Sequence, residues 1–226
     1  MWGYLKEQAK SNMVLKKLYY SIFSIMFGHN KEKISGIGNE VSFAIGYKKR
    51  CNIYILGNRN KIVVGEECNL KNLSIVIYGD DNCVVIGKKC IFDSARIHVE
   101  DNNNSVVIGD RTTIQKNTEL ACIEGCELII GQDCMLSSDI SLRTGDSHSI
   151  ITTDGKRINL SKNVYIGNHV WIGMRALVMK GSKILDNSII GAGSLVTGKF
   201  SQKNIMLAGN PAKKIKENVD WKRERI

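Results

Sequence analysis

The sequence predicts an all-β fold: a left-handed parallel β-helix, a three-sided coil with short helices at its N- and C-terminal ends. Three observations predict it: a six-residue recurrence of aliphatic residues, a 22-residue recurrence built from it, and a column of small side chains in phase with both.

The six-residue recurrence is clearest near the C-terminus, at Leu160, Ile166, Ile172, Val178, Ile184, Ile190 and Val196. Four positions after most of these stands a small or β-branched residue: Val164, Val170, Ala176, Ser182, Ser188 and Ser194. Neither an α-helix nor an alternating strand repeats every six residues. A short strand followed by a tight corner does, and three such units close one coil. Coils stacked at the strand spacing of ~4.8 Å align equivalent residues into interior ladders.

In the N-terminal half, Val64-Gly65, Ile86-Gly87, Ile108-Gly109 and Ile130-Gly131 stand 22 apart. The anchors run Val64, Leu70, Val76; Ile86, Phe92; Ile108, Ile114, Leu120; and Ile130, Leu136, Leu142. The extra residues fall in polar turns, Gly79–Asn82, Asp101–Asn104 and around Glu124-Gly125, whose Asn, Asp and Gly tolerate positive φ. The insertions therefore belong to one corner of a triangular prism. Cys68, Cys90 and Cys134 share a column with Thr112, which reads as stacked interior side chains rather than a metal or redox site. His98 falls in an anchor slot after Phe92; a local shift of register that turns Ile97 or Val99 inward accounts for it.

The ends do not repeat. Residues 1–28 read as a helix through Leu5, Ala9, Met13, Leu15, Leu18 and Ile22, capping the first coil or lying against a membrane surface or partner. After Pro211, residues 212–222 read as a short basic helix leaving the prism. The chain thus divides into a helical cap over 1–34, the β-helix over 35–211, and a basic C-terminal helix and tail over 212–226.

A length of 226 residues accommodates one domain with a substantial core. No apolar run approaches the roughly 18 residues of a spanning helix, and the apolar stretch Tyr19–Gly28 is short and lacks a small-residue cleavage site. Seven cysteines without framework spacing read as reduced thiols. The expected location is cytoplasmic, with peripheral attachment to the inner face of the membrane through residues 1–28 as an option. The net charge of +10 is partly concentrated in Lys213, Lys214, Lys216, Lys222, Arg223 and Arg225. With no aromatic-interleaved basic stripe or nucleic-acid motif, this charge points to cofactor phosphates or an acidic glycan rather than nucleic acid.

Between Leu142 and Leu160 the six-residue pattern is nearly silent, and register resumes after 18 residues, as an irregular coil or a projecting loop would allow. Here lies Arg143-Thr144-Gly145-Asp146-Ser147-His148. A histidine flanked by such residues is not a packed core residue.

Four segments occur in order with the hexads: His148-Ser149-Ile150, Val170-Trp171-Ile172-Gly173, Ile190-Gly191-Ala192-Gly193-Ser194 and Ala208-Gly209-Asn210-Pro211-Ala212-Lys213. Together they resemble the hexapeptide-repeat acyltransferases, in particular the sugar and polysaccharide O-acetyltransferases, including those of polysialic acid capsules. The resemblance covers about residues 35–216. It implies an acetyl-CoA-dependent O-acetyltransferase acting on a sugar hydroxyl of a capsular or surface polysaccharide, working as a homotrimer without a metal.

The resemblance implies His148 as general base, a task suited to an imidazole whose pKa lies near operating pH; His169 is the second choice. Trp171 is implied beside the acetyl-transfer site, stacking on a sugar face or cofactor arm. Arg143 and Asp146 are expected on the acceptor side, Asp146 orienting the imidazole, binding the sugar or capping its own turn. Main-chain N–H groups near Gly173 and Met174 are expected to stabilise the oxyanion. Ala192, Thr197, Gly198, Lys213 and Lys216 match cofactor positions, the lysines serving the phosphates. Relatives often read Val-Thr-Lys where this chain has Val196-Thr197-Gly198, so Lys199 is an alternative to Gly198.

Three other readings compete. One is an acetyltransferase for a small acceptor such as a simple sugar, a drug or serine. Another is a γ-type carbonic anhydrase, for which His98, His148 and His169 are numerous enough but sit in no ligand motif. The last is a catalytically silent scaffold.

Overall fold

The structure, a computed structural model, describes residues 12–26 and 28–226. The chain winds through three sheets in turn: sheet A has eight strands, sheet B seven and sheet C nine. Apart from the last strand, successive strands of each sheet pair in parallel with their equivalents one coil later, as in Val84↔Val106 and Ile172↔Ile190. The predicted left-handed parallel β-helix is the fold.

Side chains alternate between interior and solvent, so each strand contributes a short inward-facing set. Val64, Leu70, Ile86, Phe92, Ile108, Ile114, Leu120, Ile130, Leu136 and Leu142 are all buried. Each such side chain contributes roughly 1.5–3 kcal/mol. Two expected anchors are corrected. Val76 faces outward, while Ile75 and Ile77 are fully buried. The preceding corner explains this: three positions separate Leu70 from buried Leu73, whereas four separate Ile114 from buried Thr118. One residue fewer reverses every side chain in the strand. His98 faces outward for the same reason, with Ile97 and Val99 buried as expected.

Leu160 is the second correction, at 61% exposed. The strand Glu127–Ile130 pairs directly with Val164–Ile166, so Ile130 meets Ile166. Residues 144–163 are therefore a loop projecting from the corner between sheets A and B, not a coil.

The polar insertions occupy that same corner. Asn60 donates its amide to Asn39 Oδ1 at 3.1 Å, Asn82 to Asn60 at 3.0 Å, and Asn104 to Asn82 at 2.9 Å. Cys126 N–H closes the ladder on Asn104 Oδ1 at 3.0 Å. Asn60, Asn82 and Asn104 are at most 1% exposed. Full bonding removes the cost of burying these amides. Gly57 is forced here: at φ 147° a Cβ would lie 1.9 Å from the Gly79 carbonyl oxygen.

The cysteine column is an interior ladder. Cys68, Cys90 and Cys134 donate Sγ–H to carbonyls of Gly87, Gly109 and Gly167 at 3.1, 3.2 and 3.1 Å, and Thr112 Oγ1–H does likewise to Gly131. Burial pushes the Cys134 thiol up to about 12, so it remains protonated. All seven cysteines are free.

Helix α1, Met13–Met26, begins at Asn12, whose Oδ1 accepts N–H bonds from Val14 and Leu15. Its Phe23 stacks on Tyr47 at 5.0 Å, and Ser24 Oγ accepts from Lys48 N–H at 3.1 Å. The helix thus covers the first strand of sheet C, Tyr47–Lys49. The expected helical positions Leu5 and Ala9 lie outside the described residues. Among the described residues no helix is long and apolar enough to cross a membrane.

The basic helix expected over 212–222 is absent. Ala212–Glu217 is instead a strand antiparallel to Ile205–Gly209 at the end of sheet C. A departing helix would leave the Ile205–Gly209 edge unpaired; the hairpin satisfies it. The chain then folds back over sheet C, burying Trp221 to 6% exposure.

Candidate active site

The loop carrying His148 is clamped from several sides. Thr144, fully buried, accepts the Ile123 N–H on Oγ1 at 2.9 Å. Gly145 is pressed against the next segment: a Cβ would lie 2.5 Å from Ile123 and 2.3 Å from Ser161. Ser147 takes φ 64°, turning the chain outward. Across the loop, Ile151 and Arg157 form an antiparallel bridge.

Asn159 is the hub. Its amide donates to the His148 carbonyl at 2.7 Å and to Asp146 Oδ2 at 2.9 Å, while its Oδ1 accepts the Ile150 N–H at 2.7 Å. Lys180 donates to Asp146 Oδ2 and to the Asn159 carbonyl. Arg157 ties the hairpin to Glu124 at 2.6 Å. The backbone of His148 is therefore fixed, while its side chain is exposed.

Among the described residues the Asp146 carboxylate makes its hydrogen bonds to Asn159 and Lys180 and none to the His148 imidazole. The Lys180 hydrogen bond foremost holds that carboxylate below its usual range despite partial burial. Asn159, Lys180 and Arg157 carried no signal in the sequence, and Glu124 was marked only as part of a corner turn. Asn159 lies where the repeat is silent, and Lys180 reads as an ordinary corner lysine.

Trp171 points outward from sheet C, since its neighbour Ile172 is fully buried. Its indole N–H reaches Ser137 Oγ at 3.4 Å, and its ring lies 6.2 Å from that of Trp221. His169 is engaged at both nitrogens, with Asp133 Oδ2 at 2.8 Å and the Trp221 carbonyl at 3.0 Å, and stacks on Trp221 at 4.2 Å. An imidazole so occupied is a poor base for an incoming substrate. Burial pushes the Asp133 carboxyl up, but hydrogen bonds from His169 and Arg223 outweigh it and hold the carboxyl below its ordinary range.

The expected site residues fall into separate groups. His148, Asp146, Thr197 and Gly198 lie along the edge where sheet A turns into sheet B, which also carries the unexpected Lys180. Gly173, Met174 and Ala192 lie where sheet C turns into sheet A, with Gly193 N–H donating to the Met174 carbonyl at 2.8 Å. A Cβ on Gly173 would lie 2.6 Å from Ala192 N. Lys213 and Lys216 are exposed on the terminal strand, whereas Lys214 is paired with Glu217. His98, on sheet A, and His169, where sheet B turns into C, do not meet His148 within the chain.

Arg143 lies beside the loop, bonded to Glu119 at 2.5 Å and to Ser141 Oγ at 3.2 Å. It borders a cleft of about 160 Å³ that also includes Gly145 and Ser147. The cleft runs from the His148 loop onto the outward face of sheet A.

Residues 163–198 match the family described as bacterial transferase hexapeptide (six repeats). The chain is 30% identical to the polysialic acid O-acetyltransferase of Neisseria meningitidis over 84% of its own length and 88% of that protein. It is 38% identical to the polysialic acid O-acetyltransferase of Escherichia coli O1:K1 over 50% of its own length, spanning 36% of that relative. The solved structure of the polysialic acid O-acetyltransferase OatWY superposes with a TM-score of 0.83 at 29% identity, over 87% of this chain and 92% of that one. The repeat, the fold and near full-length similarity agree: the chain belongs to the hexapeptide-repeat O-acetyltransferase family.

Proposed function

We propose that the protein transfers the acetyl group of acetyl-CoA to a hydroxyl of a sugar in a capsular or surface polysaccharide, with His148 as general base. The observation that carries this reading is the His148 loop, whose backbone Asn159 and Thr144 immobilise while the imidazole stays accessible. The polysialic acid specificity of its relatives supports an acidic glycan as acceptor.

The imidazole accepts the hydroxyl proton as the sugar oxygen attacks the thioester carbonyl carbon. The tetrahedral oxyanion collapses, the carbon–sulfur bond breaks, and the imidazolium returns the proton to the departing thiolate. Gly173 N–H is committed to the Ile190 carbonyl at 2.8 Å, which favours the Met174 N–H as oxyanion donor. Ala192, Thr197, Gly198, Lys213 and Lys216 are the residues for acetyl-CoA, the two exposed lysines matching its phosphates in charge.

The site needs two chains. The A–B edge bearing His148 lies across the prism from sheet C, whose outer face bears Trp171. If both act at one centre, they come from neighbouring subunits, and a homotrimer supplies three such clefts.

A cytoplasmic location, at the inner membrane face where α1 leaves Val14 and Leu18 exposed, completes the proposal. Sedimentation with anionic vesicles tests it; a chain that stays in the supernatant argues against it. The central test is mass spectrometry of acidic polysaccharides incubated with protein and acetyl-CoA. Acetyl addition is expected; no thiol release with any glycan would overturn the reading.

A further inference from the structure

The outward face of sheet A carries a stripe of aromatic and basic side chains that leads to the His148 loop. Tyr54, Tyr78, His98, Arg96, Glu119 and Arg143 come from consecutive strands of that sheet. The Tyr54 and Tyr78 rings lie 5.6 Å apart, and Tyr78 lies 5.9 Å from His98. Arg96 reaches His98 Nδ1 at 3.2 Å, and Lys33 sits 5.6 Å from the Tyr54 ring centroid. Tyr54 and Arg143 are four strands apart, so the stripe extends roughly 19 Å along the prism axis.

We propose that this stripe is an acceptor track: it binds several successive units of an anionic polysaccharide and delivers one of them to His148. The proposal rests on the reading of His148 given above. Three observations carry it. First, the cleft is continuous with the site, since Arg96, His98, Arg143 and Ser147 all line it. Second, its charge suits a polyanion. Lys33, Arg96 and Arg143 stand against two carboxylates, Glu119, approached by Arg96 and Arg143 at 4.0 and 2.5 Å, and Glu100, 3.4 Å from His98, leaving one cationic charge along the stripe for a ligand carboxylate. Third, the residues assigned to acetyl-CoA, from Gly173 to Lys216, lie C-terminal to the loop, whereas the track lies on the coils before it. The two substrates thus approach from opposite directions along the axis.

The track is too long for one sugar ring. Its aromatic faces supply flat, low-entropy contacts to pyranose rings, and its guanidiniums pair with recurring carboxylates. Contacts made by linked units reinforce one another, so affinity rises with chain length.

The experiment measures binding of sialic acid oligomers of graded length to the intact protein by calorimetry, without acetyl-CoA, beside neutral oligosaccharides of matched length. Arg96→Gln and the double variant Tyr54→Ala/Tyr78→Ala are compared with the parent, and circular dichroism and light scattering check that each keeps its fold and assembly. For long oligomers an affinity loss of about tenfold or more is expected in each variant, with KM raised far more than kcat is lowered. Binding by the parent should weaken with salt. Affinity independent of length, or variants that bind long oligomers as tightly as the parent, would overturn the track. Length-dependent binding lost in the variants upholds it even where no acetyl transfer is detected, a result that would sink the reading of His148 instead.

Discussion

The coils before the His148 loop and those after it solve the same packing problem differently. Before the loop, sheet A strands such as Ser74–Tyr78 and Ala95–Glu100 are long, and an amide ladder fills the corner where sheet A turns into sheet B. After it, strands such as Leu177–Val178 and Leu195–Val196 are two residues long, and buried Ser182, Ser188 and Ser194 line the interior. Wide coils present an outer face broad enough for a polymer. Narrow coils stack with corners as tight as Gly173 against Ala192. The His148 loop sits at the junction.

Breaking that junction should have the largest effect. His148→Ala is expected to lower turnover by ~10²–10⁴-fold with the fold retained. Thiol release from acetyl-CoA in the presence of acceptor reads it, and near-parental rates exclude His148 as the base. Next comes the contribution of two chains to one centre. Mixed trimers of His148→Ala and Trp171→Ala, each nearly inactive alone, should regain about a quarter of parental activity, because random assembly pairs intact His148 with intact Trp171 at one cleft in four. No recovery would show that both act from the same chain.

The wide coils should also be the more brittle. Asn82→Ala removes the middle of a buried ladder and is expected to cost about 1–3 kcal/mol, read by urea unfolding. Asp146→Asn should lower turnover by only about threefold, since it loosens the loop without touching the imidazole. Because the Asp146 carboxyl is held below its ordinary range, its contribution is present above about pH 4 and fades as pH falls through the depressed value. The stability difference between this variant and the parent should therefore narrow in acid. Ser188→Ala, in the narrow coils, should change stability by less than about 0.5 kcal/mol, as its hydroxyl makes only one bond, to the Asp186 carbonyl at 3.3 Å.

Much of this architecture was legible in the sequence because a stacked coil writes its interior at fixed spacing. Phe92, Ile114 and the cysteine column could be assigned on period alone, as could the corner holding the insertions. Val76 could not, because the missing residue sits in a corner where nothing in Lys71-Asn72 announces a tighter turn. The terminal strand was misread because Ala-Lys-Lys-Ile-Lys-Glu has no period that separates helix from strand; the exposed edge of Ile205–Gly209 decides it. In the site, His148 was marked by the silence around it. Asn159 and Lys180 were not, since their role exists only once the loop folds over the next coil. The stripe on sheet A was hidden for the same reason: Tyr54, Tyr78, Arg96 and Arg143 are scattered along the chain and become neighbours only by winding.

The asparagine ladder has a consequence for how such a protein can change. Each rung bonds the ones above and below and sends its other amide proton to a nearby carbonyl, Gly79 for Asn60 and Asp101 for Asn82, so a duplicated 22-residue segment that brings its own carbonyl could be spliced between Asn60 and Asn82 with every amide still matched. The molecule would grow by one storey at its N-terminal end, lengthening its grip on a polymer while leaving the imidazole and its clamp untouched. Reach and reactivity are thus separately adjustable in this scaffold.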